Sequence, residues 1–170
     1  YAFTDTKLTK DAVAAGNEFI YADKWLIDVT LDKKATLDKI TTSTFKSGTI
    51  GIADEVFAHA PELLQISLQG SIKYIGQATF LSCPKLWKIE TNNTELINDR
   101  AFGECKALSN VILGEGLKTI GSYAFYNCSQ MNNSAFDGTS IIPDSVRRIG
   151  TYAFEAPPNW KNAMSLVYID

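Results

Sequence analysis

The chain has 170 residues, of which 45% are hydrophobic and 21% are charged, and its formal net charge at pH 7 is −3. This size and composition predict one folded domain with a sizeable core. The slightly acidic balance, with scattered basic residues, argues against a nucleic-acid-binding surface. No apolar run approaches the ~18 residues that would suggest a membrane span.

The first 36 residues lack the pattern that organises the rest of the chain. Residues 1–3 read Tyr-Ala-Phe, a triplet that recurs twice later, so we expect the chain to begin inside a repeat, with any targeting segment already removed. Residues 18–21 and 25–27 are two short apolar runs separated by a polar turn, which is typical of a β-hairpin. Residues 1–36 are therefore predicted to form a divergent, partial repeat that contains a hairpin.

From residue 37 to residue 157 the chain repeats with a period of about 23 residues. Five isoleucine–phenylalanine pairs, five positions apart, mark the period: Ile52 and Phe57, Ile75 and Phe80, Ile97 and Phe102, Ile120 and Phe125, Ile149 and Phe154. A fixed period of this length is the signature of a solenoid built from stacked coils. A solenoid usually functions through a broad surface rather than a catalytic cleft.

Three repeats also carry the pattern Leu-x-x-Ile-x-Leu or a close variant of it, as in residues 63–68 and in residues 108–113 with Val111 at the Ile position, and the alternating side chains predict a strand. The contacts within a single repeat cannot offset the conformational entropy lost when it is ordered, so several repeats must stack, with their strands in a parallel sheet. The Ile-Gly dipeptides that follow are expected to supply a flexible turn residue. Thr91 departs from the pattern because it occupies an apolar position.

The three cysteines follow the same period. Cys83, Cys105 and Cys128 each come three residues after a repeat phenylalanine, where other copies have Ala60 or Pro157. An odd number of cysteines and a tolerated alanine argue against a disulfide framework, and no paired Cys or His spacing suggests zinc. We expect buried, reduced thiols, no metal and no cofactor.

The motif Leu-x-x-Ile-x-Leu followed by Ile-Gly-x-x-Ala-Phe-x-x-Cys resembles the BspA-type bacterial leucine-rich repeat, with the best copies at residues 117–128 and 142–154. The likeness is strong over residues 37–157 and loose over 1–36. It implies an α/β-class fold: a right-handed leucine-rich-repeat solenoid of about five coils with a parallel β-sheet on one face. It also implies export to the cell surface or the periplasm.

Two segments interrupt or end the period. Residues 131–140 include about six extra residues rich in Asn and Ser, which predicts a loop or a bulged coil. Two prolines at 157 and 158 stop the repeat. Residues 158–170, with Trp160 and residues 166–168, are predicted to form an end cap on a single domain that spans the whole chain.

Residues that could carry chemistry are few. His59 is the only histidine, and no motif supplies it with a nucleophile or a carboxylate partner. The acidic residues Asp54, Glu55, Asp99, Glu104 and Asp137 could suggest a hydrolase, which would need two carboxylates in one cleft. These acidic residues fit solvent-exposed turn positions better than a catalytic pair. We expect a protein that is not an enzyme.

The most informative residues for function point outward from the predicted sheet. They are Leu64, Gln65 and Ser67 in one coil, Trp87, Lys88 and Glu90 in the next, and Ser109, Asn110 and Ile112 in the third. An outward Trp87 is a plausible anchor for a protein partner, although it could instead lie flat on the sheet or pack on residues 131–140. We expect a surface-exposed or secreted module that binds protein, with adhesion to host matrix or other cells. Two alternatives stay open, a structural spacer in a larger envelope protein and a carbohydrate-binding accessory domain.

Overall fold

The computed structural model describes residues 6–68, 70–131 and 142–154. The helices are α1 (Lys7–Ala14) and α2 (Leu31–Thr36), with one turn of 3-10 helix at Thr42–Thr44. The strands are β1 (Phe19–Ala22), β2 (Trp25–Val29), β3 (Lys39–Thr41), β4 (Gly51–Ile52), β5 (Gln65–Leu68), β6 (Tyr74–Ile75), β7 (Lys88–Thr91), β8 (Leu96–Ile97), β9 (Asn110–Leu113), β10 (Thr119–Ile120) and β11 (Arg148–Ile149).

The strands form two sheets that run along the molecule. The long-strand sheet has the order β3-β5-β7-β9, and the short-strand sheet has the order β1-β2-β4-β6-β8-β10-β11. All neighbouring strands are parallel except the β1–β2 pair. The fold is the predicted right-handed leucine-rich-repeat solenoid, and its roughly four turns are consistent with the predicted five coils. The resemblance implied a sheet on one face, whereas the isoleucines before each turn build a second sheet.

The core is a stack of identical side chains, one from each coil. The rings of the five repeat phenylalanines are parallel within 8°, and their centroids lie 5.2–5.4 Å apart. That spacing follows the separation of neighbouring parallel strands, because strands in register hold equivalent side chains about one strand spacing apart. Burial of each ring therefore depends on the coils on either side, which explains why the repeat must occur several times in succession.

The turn before and after each phenylalanine is stacked as regularly as the strands. Phe57 N donates to Thr79 O at 2.9 Å, and Phe80 N donates to Ala101 O at 2.8 Å. Non-glycine residues adopt left-handed backbone two positions before and two positions after the phenylalanine: Glu55, Ala78, Arg100, Tyr123 and Tyr152 before it, and His59, Ser82, Glu104 and Asn127 after it. The turn thus stores modest backbone strain, which the hydrogen bonds between coils offset.

The expected reason for the recurring Ile-Gly dipeptides is wrong. Their glycines do not have positive φ. Instead, a Cβ on Gly121 would lie 2.5 Å from Asp99 N, and a Cβ on Gly150 would lie 2.3 Å from Ser122 N. Glycine is needed there because the backbones of successive coils approach too closely for any side chain.

The N-terminal part replaces repeat elements with other structures. β1 and β2 form the predicted hairpin, and β2 pairs with β4 as the first strand of the parallel series. In the first coil α2 stands between β2 and β3, where later coils have the phenylalanine turn. The Thr30 hydroxyl caps α2 by accepting from Lys33 N at 3.4 Å. β1 pairs with the outer edge of β2, so the first strand of the parallel series is not left as an open edge.

Three predicted features lie outside the described residues. They are the Tyr-Ala-Phe at residues 1–3, most of the loop predicted at 131–140, and the end cap at 158–170 with Trp160 and residues 166–168. The division of the chain into a divergent start, a regular repeat region and an end cap therefore stays a prediction.

The cysteines are free and buried, as the repeat predicted. Each thiol donates to the backbone oxygen of the preceding coil's phenylalanine, for example Cys105 Sγ to Phe80 O at 3.1 Å and Cys128 Sγ to Phe102 O at 3.2 Å. Burial raises the pKa of the Cys128 thiol to about 12 and raises the pKa of the Cys105 thiol well above its ordinary value. These cysteines act as small apolar residues in the stack.

Candidate functional site

The residues predicted to point outward lie together on the long-strand sheet. We call the set the outer sheet face; it comprises Leu64, Gln65, Ser67, Trp87, Lys88, Glu90, Asn110 and Ile112. The parallel register aligns Gln65, Lys88 and Asn110 in one column. A second column contains Thr41, Ser67, Glu90 and Ile112.

Leu64 and Trp87 occupy equivalent positions just before their strands. Trp87 N donates to Leu64 O at 3.0 Å, and Ser109 N donates to Trp87 O at 3.1 Å, so a third column of the outer sheet face runs beside the two strand columns. Within β5 and β7 the outward side chains alternate with core side chains, as a strand requires. Ile66 and Ile89, which lie between the outward residues, are buried in the core.

A polar network occupies the centre of the outer sheet face. The Ser67 hydroxyl donates to Glu90 Oε2 at 2.8 Å, and Lys88 Nζ lies 2.7 Å from Glu90 Oε1. The hydrogen bond from Lys88, followed by the one from Ser67, lowers the pKa of the Glu90 carboxyl. Both oxygens of the Glu90 carboxylate are therefore bound by side chains of the same face.

Two apolar side chains stand out beside this network. Trp87 is 39% exposed and Ile112 is 46% exposed, although both are large hydrophobic residues. Leu64 is half-buried next to Trp87. Trp87 thus keeps a substantial part of its surface open to solvent. The outer sheet face thus combines an exposed aromatic side chain, an aliphatic neighbour and a hydrogen-bonded polar cluster.

The residues that could suggest catalysis have structural explanations. His59 is exposed, has left-handed backbone and donates its N–H to Leu81 O at 2.8 Å. The Asp54 and Asp99 carboxylates each accept a backbone N–H from the next coil, from Gln77 and Ser122 respectively, at 2.7 Å. These aspartates connect successive turns.

Sequence reasoning missed a charged ladder beside the short-strand sheet. The Glu95 carboxylate binds Lys118 Nζ at 2.7 Å and also binds Lys73 Nζ. The hydrogen bonds from Lys118 and Lys73 lower the pKa of the Glu95 carboxyl to about 2. The signal was available, because these three residues each lie seven positions before a repeat phenylalanine.

An aromatic cluster at the turns of the last described coils was also missed. The Tyr123 ring contacts Tyr126 and Tyr152 with centroid distances of 5.5 and 5.3 Å, and the Arg100 guanidinium lies 5.5 Å from the Tyr123 ring centre. Tyr152 is half exposed. Arg100, Tyr123 and Tyr152 align only because they share one position of the repeat, two residues before the phenylalanine.

Within residues 6–68, 70–131 and 142–154, no group of three or more His, Cys, Asp or Glu side chains could hold a metal ion. In the same part of the chain, neither helix has the length and hydropathy needed to span a bilayer.

A family model described as the BspA type leucine rich repeat region matches residues 34–161 in six copies. The fold is similar to a leucine rich repeat protein of T. pallidum, with 24% identity, a TM-score of 0.63, and coverage of 77% of this chain and 58% of that one. It is also similar to a leucine rich cell surface protein of Faecalibacterium prausnitzii A2-165, with 26% identity, a TM-score of 0.56, and coverage of 80% of this chain and 41% of that one. A leucine-rich repeat protein of Bacteroides ovatus is similar with 21% identity, a TM-score of 0.52, and coverage of 75% of this chain and 32% of that one. The chain thus spans less than two thirds of each structure. Comparison with the curated proteins gave no match.

Proposed function

Because this chain belongs to the BspA-type leucine-rich repeat family, we propose that it is a recognition module of a surface-exposed or secreted protein, and that it binds protein partners through the outer sheet face. Family and fold are typically not enzymatic. The similar Faecalibacterium protein is described as a cell surface protein, which supports the proposed location. Adhesion to a host matrix or to other cells is the finer part of the proposal.

The exposed Trp87 beside the Lys88–Glu90–Ser67 network is the observation that carries this proposal. A Trp side chain that leaves water on binding contributes strongly to affinity, and Trp is enriched among the residues that dominate interface energetics. Side chains that are already hydrogen-bonded to one another lose less conformational freedom when a partner binds. A polar-centred sheet face with one aromatic anchor fits a folded protein better than a small molecule, which needs a concave site.

The two alternatives predict different outward residues. A spacer would be expected to show small polar side chains on this face, and the exposed Trp87 and Ile112 argue against it. A carbohydrate-binding domain would need several outward aromatic rings along the sheet, whereas Trp87 is the one aromatic residue of the outer sheet face. Protein recognition is therefore the better supported function.

A binding assay with matched variants tests the proposal. The chain is passed over immobilised matrix proteins (collagen, laminin and fibronectin) and over intact cells, and its affinity is compared with that of Trp87→Ala and Ile112→Ser. We expect Trp87→Ala to weaken capture about tenfold or more, as for a central interface aromatic. Tyr152→Ala, which removes an even more exposed aromatic side chain outside the outer sheet face, should leave capture unchanged. Equal capture of the native chain and Trp87→Ala would favour the spacer.

A further inference from the structure

A cavity of about 900 Å³ opens at the N-terminal end of the solenoid. It lies between the end of α1, the β1–β2 hairpin, the start of α2 and the turn before Phe57. The exposed apolar side chains of its lining are Val13 and Leu31, whereas Ile20, Val29 and Val56 are almost fully buried. Its volume falls in the range of about 300–1,000 Å³ in which ligand sites occur. None of its lining residues belongs to the outer sheet face, so it is a separate concave surface.

The charge of the cavity is strongly one-sided. Its lining contains the carboxylates of Glu18, Asp28, Asp32, Asp54 and Glu55, and the ammonium group of Lys34. Lys33, which is outside the lining, neutralises Glu18 at 3.0 Å. Four carboxylates against Lys34 leave an excess of three negative charges around the cavity.

Backbone hydrogen bonds hold two of the carboxylates in place and still leave oxygen atoms free to bind a ligand. Asp28 accepts Val29 N at 2.8 Å and Asp54 accepts Gln77 N at 2.7 Å, in each case with one oxygen, which leaves the second free. The Lys34 side chain makes no hydrogen bond or ion pair with the described part of the chain. Burial lowers the pKa of Lys34, while Asp28 has the opposite, weaker effect. The cavity wall is therefore partly desolvated, which strengthens electrostatic attraction.

The shape and charge together identify the class of ligand. Asp28 lies on β2, Asp32 on α2, and Asp54 and Glu55 in the turn before Phe57, so the negative charge suits several separated cationic groups. Lysine and arginine side chains place alkyl stems on apolar surface and keep their charged ends at its rim. We propose that the cavity binds a short basic segment of a partner protein, with the stems on the exposed side chains of Val13 and Leu31 and the cationic ends against Asp28, Asp54 and Glu55.

Nitrogen-15 NMR titration of the whole chain with acetyl-Lys-Leu-Lys-amide tests this inference. We expect shifts confined to residues 13–34 and 53–56, and none with acetyl-Glu-Leu-Glu-amide. Glu55→Gln should weaken binding about two- to fivefold, as expected for loss of one exposed charge pair. Lys34→Gln should strengthen binding by a similar factor, because it removes the one opposing charge.

Two matched variants separate a site from general attraction to an acidic protein. Glu62→Gln removes the same charge from an exposed carboxylate that pairs with Lys85 outside the cavity, and it should leave affinity unchanged. Trp87→Ala should also bind the peptide normally, so failure of this inference and failure of the proposed function are distinguishable. Equal weakening by Glu62→Gln and Glu55→Gln, unchanged affinity in Lys34→Gln, or shifts scattered over both sheets would overturn the inference.

Discussion

Thr91 is a buried polar residue at an apolar position of the repeat, and replacing it with valine should stabilise the protein. It pairs in register with Leu68 and Leu113, which place apolar side chains in the core. Thr91 is 0% exposed, and its Oγ1 is the one buried side-chain oxygen or nitrogen without a hydrogen-bond partner among the described residues. An unsatisfied buried hydroxyl costs about 1–3 kcal/mol. Valine has nearly the same shape, so Thr91→Val removes this cost without opening a cavity.

Thr91→Val should therefore raise the free energy of unfolding by about 1–2 kcal/mol, or the midpoint temperature by roughly 2–8 °C for a domain of this size. Thr79→Val is the matched control. Thr79 is equally buried, but its hydroxyl donates to Gly76 O at 2.8 Å and lies 3.1 Å from Ala53 O. Losing this interaction should destabilise the protein by about 1 kcal/mol.

Urea unfolding followed by circular dichroism would measure both changes on one scale. The two substitutions should change the free energy of unfolding in opposite directions, because the size and burial of the changed group are the same and only its hydrogen bonding differs. If Thr91→Val lowered stability as Thr79→Val does, the Thr91 hydroxyl would have to be satisfied in the folded chain, and the proposed defect would not exist.

Three further predictions test the stack, the charged ladder and the thiols. Phe102→Ala should lower the free energy of unfolding by about 3–5 kcal/mol in a denaturant titration, because it removes the middle ring of the stack; a loss below about 1 kcal/mol would contradict a continuous core. The Glu95 pKa of about 2 lies below its ordinary 4.5, so the stabilisation it contributes is complete above pH 4.5 and lost as the pH falls through 2. In carbon-13 NMR titrations, Lys118→Met should raise that pKa, and an unchanged value would refute the ladder. Cys128, with its raised pKa, should not react with a thiol reagent at pH 8 until the chain unfolds, and fast reaction of the native chain would show that the stack opens.

Several features of the fold could be predicted because they depend on period alone. The nearly equal spacing of Phe57, Phe80 and Phe102 places them at equivalent positions in stacked coils, so the ring stack, the buried thiols and the register of the outer sheet face follow from counting residues. The β1–β2 hairpin was also visible, since two apolar runs flanked a polar turn. These are local or strictly periodic properties of the chain.

The sequence by itself therefore determined the solenoid, its core columns and the residues that face outward, because a repeat copies one coil's geometry to the next. Only the tertiary structure decided which groups meet where the period is broken or where different columns come together. The cavity between α1, the hairpin and α2 belongs to the divergent start, which has no neighbouring copy from which its shape could be inferred. The close approach at Gly121 and Gly150, and the missing partner of Thr91, depend on distances of a few ångströms between coils, which the spacing of residues along the chain does not specify.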